Sequence, residues 1–443
     1  MNIQLSEHFN YKKLIRFTLP SITMMVFTSL YGVIDGLFIS NIVGSQPFAA
    51  VNLIMPVLMI FGAFGFMIGT GGSALIAKTL GEGEKELANE YFSLLVYISI
   101  ICGIALSIIG LIFIRPIALL LGAEEEILPF CITYGRILLS SLTFFILQNS
   151  FQSYFVASGK PQMGLFLSLA AGLTNIIFDF LFIYVFRFGV AGAATATALS
   201  QIVGGLIPLF YFGRKNNSLL RLGKTKFYGN ALLKSCINGS SEMMTNLSIS
   251  LVNMLYNLQL MKYIGANGVA AYGILMYAGI IFSGIYTGYA IGSAPLISYH
   301  YGAENNKELK NLFKKSLTLI VLASVIITLL AELFTDYIAK IFVGYDTELM
   351  SLTIKAFHLF ALSYLFSGIN IFGSAFFTAL NNGVISAIVS FLRTLVFQII
   401  MIFLLPALFG IDAIWLSVVA AELLALIVTF FFFKREQESY HYL

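Results

Sequence analysis

Charge is what this chain has least of: only 10% of its 443 residues are Asp, Glu, Lys or Arg, and 59% are hydrophobic. Ordinary soluble domains carry about 25% charged and roughly 45–50% apolar residues, so a mean hydropathy of +0.91 excludes a water-soluble globular fold. Cysteine is nearly absent as well. Cys102, Cys131 and Cys236 show no CxxC spacing and the four histidines no ligand pattern, which excludes a disulfide framework and a zinc site. No GxxxxGK[ST] loop, HExxH helix or DDxxD pair occurs, so neither ATP hydrolysis nor metal-dependent membrane catalysis has its residues. The chain is read as no enzyme and as needing no cofactor. Nor is there a basic patch with interleaved aromatics, so the net charge of +4 does not point to nucleic acid.

What is there is a series of long apolar runs. A bilayer core needs roughly 20 apolar residues per helix, and such windows fall at 14–40, 48–77, 91–114, 127–157, 163–185, 192–212, 236–262, 269–299, 316–334, 351–379, 384–407 and 413–433. The runs are continuous rather than alternating, which selects helices over a barrel. This predicts an all-α integral membrane protein of twelve transmembrane helices. Basic residues set its orientation. With the N-terminus inside, Lys12, Lys13, Arg16, Lys78, Lys85, Lys160, the basic residues of 214–234 and 307–315, Lys434 and Arg435 are all cytoplasmic, and only Arg115, Arg187, Lys262 and Lys340 fall outside. Both termini are therefore expected in the cytoplasm. The first thirteen residues carry no apolar h-region or cleavage motif, so the first span serves as its own insertion signal, with residence in a bacterial cytoplasmic membrane.

Set against itself at an offset of 221, the chain aligns VGSQPFAAVNLIMPVLMIF (43–61) with IGANGVAAYGILMYAGIIF (264–282) without a gap, and Phe188-Gly189 with Phe409-Gly410. Two pseudo-symmetric six-helix bundles are the simplest account: an N-lobe at 1–212, a cytoplasmic linker at 213–235 and a C-lobe at 236–443. An even number of spans per repeat gives both halves the same orientation, as in parallel-repeat carriers. A monomer working in the bilayer as a multi-pass carrier of small molecules is the expected unit.

Ionisable residues deep in a span cost about 2.5–3.5 kcal/mol each, so each asks for a partner or a task. The sharpest group is Asp35 in the first span, Asn175 and Asp179 one helical turn apart in the fifth, and Thr197 in the sixth. All four offer oxygen, the donor set of a hard cation such as Na⁺, and two close carboxyls would also hold a proton. Pro20 interrupts the first span's backbone hydrogen bonding, which marks either a bend or a first helical turn. In the second half Glu242 lies on an amide-rich segment with Asn246 and Asn253, where it could meet a cationic substrate, and Arg393 needs a counter-ion, Glu242 or Glu422. Met24 and Met55 are candidate walls of a plastic cavity.

The runs FTSLYGVIDGLFIS, AAVNLIMPVL, GTGGSALIAKTLGEGEKELA and SSEMMTNLSISLVNMLYNLQLMKYIGANGVAAYGILMY resemble the multidrug and toxic compound extrusion (MATE) family, in its MepA-like, DinF-related bacterial branch. The resemblance extends over nearly the whole chain. It implies two lobes in a V and export of amphiphilic, often cationic drugs and toxic compounds by alternating access, coupled to entry of Na⁺ or H⁺. It also implies an N-lobe cation site at Asp35, Asn175, Asp179 and Thr197 and a bending proline at Pro20. The chain departs from another branch of the family, which pairs an acid on the seventh span with an Asp on the tenth: the tenth span here has no carboxylate, leaving Glu242 alone. Flippases for lipid-linked oligosaccharides share the superfamily and stand as the alternative.

Overall fold

In hydrocarbon every backbone N–H and C=O must find its partner within the chain, and a sequence this apolar does so by coiling almost without interruption. The computed structural model describes residues 3–344 and 346–442, among which there is helix and no strand. The first half runs through α1 (Tyr11–Phe38), α2 (Ser45–Gly81), α3 (Lys85–Leu120), α4 (Leu128–Ala157), α5 (Pro161–Asp179) and α6 (Gly189–Gly213). The second runs through α7 (Gly229–Tyr263), α8 (Ala266–Gly302), α9 (Asn306–Val343), α10 (Thr347–Ala361), α11 (Tyr364–Ala379), α12 (Gly383–Phe391), α13 (Phe397–Phe409) and α14 (Ser417–Tyr440).

Ten of the described helices, counting α12 and α13 as one rod, are long and apolar enough to cross a membrane alone; α10 and α11, bent by 47° about Leu362 and Ser363, form an eleventh. The remaining rod is α7, whose Glu242, Asn246, Asn253, Asn257 and Gln259 make it the polar one. The twelve-span, all-helical reading stands, with different boundaries. The ninth span, expected over 316–334, is helical from Asn306 to Val343, because a helix does not stop where hydrocarbon does.

Three rods loosen into π-helix, at Ile39–Val43 after α1, Phe180–Val185 after α5 and Leu392–Val396 between α12 and α13. Such bulges are rare and gather at functional sites. Two of them follow Asp35 and Asp179 closely, and the third contains Arg393.

The halves touch through α1, α2, α7 and α8, where small residues let backbones meet. A methyl group on Gly239 of α7 would lie 1.8 Å from the Met67 carbonyl oxygen of α2, and one on Gly302 of α8 would lie 2.0 Å from the carbonyl oxygen of Lys78. These contacts seal the end of the molecule that carries both termini. At that same end residues 3–10, the lead-in to α1, pack on the second half. Leu5 and Phe9 are buried in its core beside Leu309 and Tyr442. Glu308 accepts the Phe9 N–H at 2.8 Å and pairs with His8 Nδ1 at 2.6 Å, while Asn311 and Lys315 donate to the Phe9 carbonyl at 2.9 and 2.7 Å.

Candidate functional site

The four oxygen donors read from the sequence converge. Asp179 ends α5 fully buried, Asn175 lies one turn earlier at 2% exposure, and Asp35 of α1 is 8% exposed. The Asn175 amide donates weakly to Thr197 Oγ1 of α6, at 3.4 Å. The Asp35 and Asp179 carboxyls are close enough to interact directly. Tyr134 of α4, which the sequence did not single out, also enters: its buried hydroxyl neighbours Thr197 and both acids. Its phenol within a membrane span, one of two in α4 with Tyr154, was the available signal.

Five oxygens there have no hydrogen-bond partner among the described residues: Asp35 Oδ1, both Asp179 oxygens, Asn175 Oδ1 and the Tyr134 hydroxyl. Buried polar atoms are nearly always paired, because an orphan keeps its full desolvation cost. Neither acid forms an ion pair among the described residues; the bridges there run elsewhere, as at Arg393–Glu422. Two carboxyls and three neutral oxygens, buried and without a basic partner among the described residues, are a donor set that fits one small hard cation, or a proton shared between the acids. No described cluster holds three or more His, Cys, Asp or Glu.

Pro20 lies within α1, at its tenth residue, so it is not in the first turn. Its ring leaves the Arg16 carbonyl without an amide donor. Fifteen residues separate it from Asp35, roughly 22 Å along the helix axis; it does not join the cluster.

A second site lies apart from the first. A cavity of about 470 Å³ opens between the halves, and its wall is mainly second-half: Glu242, Asn246 and Asn253 of α7, Tyr364 and Ser367 of α11, Arg393, Gln398 of α13 and Glu422 of α14, with Met25, Ser29 and Thr70 from the first half. Asp35, Asn175, Asp179 and Thr197 are not part of that wall, nor are Met24, which is buried at 1% exposure, and Met55, which packs on the first half's core. The methionines that do face it are Met25 and Met276. Asn253 accepts the Tyr272 hydroxyl at 2.8 Å, and the Asn246 amide donates to the Glu242 carbonyl at 2.8 Å. Arg393 finds its counter-ion in Glu422, its Nε lying 2.9 and 3.0 Å from the two carboxylate oxygens. Glu422 is braced further by Asn370, whose amide donates to it at 2.7 Å and whose carbonyl accepts from Thr429 at 3.0 Å.

Comparison with known proteins agrees with this layout. The MatE family profile matches residues 20–181 and again 243–404, once in each half. The multidrug export protein MepA of Staphylococcus haemolyticus is 26% identical over 413 residues, covering 93% of this chain and 90% of that protein. MepA of Staphylococcus aureus NCTC 8325 is 27% identical over 427 residues, covering 94% and 92%. Among solved structures, an outward-facing multidrug resistance MATE family transporter of the MOP superfamily superposes with a TM-score of 0.93 at 24% identity, covering 99% of this chain and 98% of the other. A MATE in the bent conformation reaches 0.89 at 24% identity, covering 97% and 96%. With the family matched over more than half its length and the twelve-rod, two-bundle fold shared, the chain belongs to the MatE family and is a multi-pass membrane transporter, not an enzyme.

Proposed function

We propose that the chain is a multidrug exporter that expels amphiphilic, often cationic compounds by alternating access, and that entry of Na⁺ or H⁺ through Asp35, Asn175, Asp179 and Thr197 drives it. The observation that carries this reading is the orphaned oxygen cluster around Asp179, which has no hydrogen-bond donor or basic partner among the described residues. Capturing a cation there offsets one of the two negative charges and bridges the acids, and releasing it restores their repulsion, so occupancy biases the packing of α1 against α5 and α6. Pro20 supplies the place where α1 yields. One charge moving down 100 mV releases about 2.3 kcal/mol, enough for a roughly fifty-fold gradient of one exported molecule.

In this reading the N-lobe (1–212) and C-lobe (236–443) rock about their small-residue contacts, the linker 213–235 straps them on the cytoplasmic side, and both termini face the cytoplasm. The cavity is where the substrate waits, and a monomer suffices. A flippase for lipid-linked oligosaccharides would need free cationic groups to hold pyrophosphate. Here the cavity's one described arginine is already neutralised by Glu422, which favours the drug exporter. The test is dye efflux from proteoliposomes under an imposed Na⁺ gradient and then an imposed pH gradient. One of the two should drive export in the wild type and neither in Asp35→Asn or Asp179→Asn. Undiminished efflux in both variants would falsify the ion-site assignment.

A further inference from the structure

The cavity wall holds two carboxylates and one guanidinium, and they are not equivalent. Glu422 is satisfied, with Arg393 on both oxygens and Asn370 behind it. Glu242 lines the same cavity within electrostatic reach of Arg393, yet its carboxylate makes no hydrogen bond or ion pair among the described residues. Three more residues in this wall are over nine-tenths buried with a polar atom unpaired among the described residues: Gln398 (Oε1) at 8% exposure, Ser367 (Oγ) at 7% and Tyr364 (its hydroxyl) at 3%. A cavity with one unspent negative charge and unclaimed hydrogen-bonding tips is built for a ligand bearing a positive group with N–H or O–H donors.

What keeps that charge unspent is the partner chosen by Arg393. It stands in a π-helical turn on a wall that also holds both carboxylates. Were it to turn to Glu242, the free charge would pass to Glu422, which the Asn370–Thr429 network holds, and Glu242 would no longer be open to a ligand. Given the export reading above, on which this inference rests, the geometry points to Glu422, braced by Asn370 and Thr429, as a positioning residue that fixes substrate charge selectivity by holding Arg393 away from Glu242. Glu422 itself need not touch the substrate. The unusual consequence is that deleting a negative charge from one side of the wall should weaken cation binding through a second acid elsewhere.

The experiment measures binding to purified full-length protein, without any gradient, using ethidium as the cationic probe and zwitterionic norfloxacin as the net-neutral one. Glu422→Gln should weaken ethidium about tenfold or more, the loss expected for one charge-assisted contact, while norfloxacin stays within about twofold. Removing both partners, Glu422→Gln with Arg393→Gln, should restore ethidium to within about threefold of wild type. Arg393→Gln alone should tighten ethidium, because Glu242 and Glu422 then both face the cavity free. That variant and the double one answer the question even if Glu422→Gln, which strands a buried guanidinium, does not fold. Unchanged ethidium affinity in Glu422→Gln, no recovery in the double variant, or weaker ethidium binding in Arg393→Gln overturns the inference. Failure of the coupling reading looks different: ethidium then binds as described, yet no ion gradient moves it.

Discussion

One family profile matches both halves, yet the acid cluster of the first and the Arg393–Glu422 pair of the second treat buried charge in opposite ways. In the first, Asp35 and Asp179 sit together with no basic group paired to them among the described residues. In the second, Glu422 is paired with Arg393 and locked by Asn370. At the offset of 221, Asp35 falls opposite Tyr256, whose hydroxyl is spent on the Ile414 carbonyl and whose ring stacks on Tyr272 at 4.2 Å. Glu422 falls opposite Gln201, which accepts from Ser141 at 2.6 Å, and Asn370 opposite Asn149, whose amide nitrogen has no partner among the described residues. The same helices thus carry acid where the other half carries a neutral group. A carboxyl left unneutralised can exchange a cation; one with a permanent guanidinium partner cannot, and serves to shape its surroundings instead.

The largest effect that would break this comparison is on coupling. Asp179→Asn should reduce gradient-driven efflux at least about a hundredfold, the scale of losing a buried charged contact of some 3 kcal/mol, while ethidium binding in the cavity changes less than about threefold. Loss of both together would mean that one site serves ion and substrate alike.

Stability should rank the two acids the other way round. Glu422→Gln takes from half-buried Arg393 its charged partner and breaks the Asn370 contact, and should cost about 1.5–3 kcal/mol, whereas Asp179→Asn removes a repulsion and should cost less than about 1 kcal/mol. Thermal unfolding in detergent measures both, and equal losses would erase the distinction drawn here.

Between the halves, Gly302→Ala should cost about 1–3 kcal/mol of overpacking or drive the contact with Lys78 apart. Spectroscopic distances between labels on α2 and α8 would report the second outcome, and an unchanged distance with unchanged stability would show that α2 and α8 do not seal that end.

The smallest effect lies at the lead-in. Glu7 accepts the Gln4 N–H at 3.0 Å and Lys13 Nζ at 2.7 Å, and these contacts hold its carboxyl below the usual carboxylate range. The folded state binds the proton less readily than the unfolded chain, so this stabilisation is present above the ordinary carboxylate value and fades as pH falls through the lowered one. Glu7→Gln should remove a slight acid-sensitive part of the melting curve; a steeper acid loss in the variant would contradict the assignment.

Spans, repeat and oxygen cluster were legible because each rests on residue type at fixed spacing: apolar windows, a register of 221, and carboxyl and amide one turn apart at 179 and 175. The rest depends on what approaches from elsewhere in the chain. Tyr134 joins the cluster only through the packing of α4 beside α6, and Glu422, the acid that pairs with Arg393, is held by Asn370 on α11, far from both in sequence. The π-helical turns have no local signature in ISNIV, FLFIYV or LRTLV. Met24 and Met55 illustrate the same limit, since one residue's rotation about a helix separates Met24, buried, from Met25, which faces the cavity.

The lead-in segment has a mechanical meaning. Residues 3–10 are fastened to the start of α9, while α1, which they introduce, packs along α5 of its own half and α8 of the other. Any relative rotation of the two bodies therefore has to be shared between the α1–α8 seam and a swivel near Asn10, and a bulky fusion ahead of the lead-in would load that swivel.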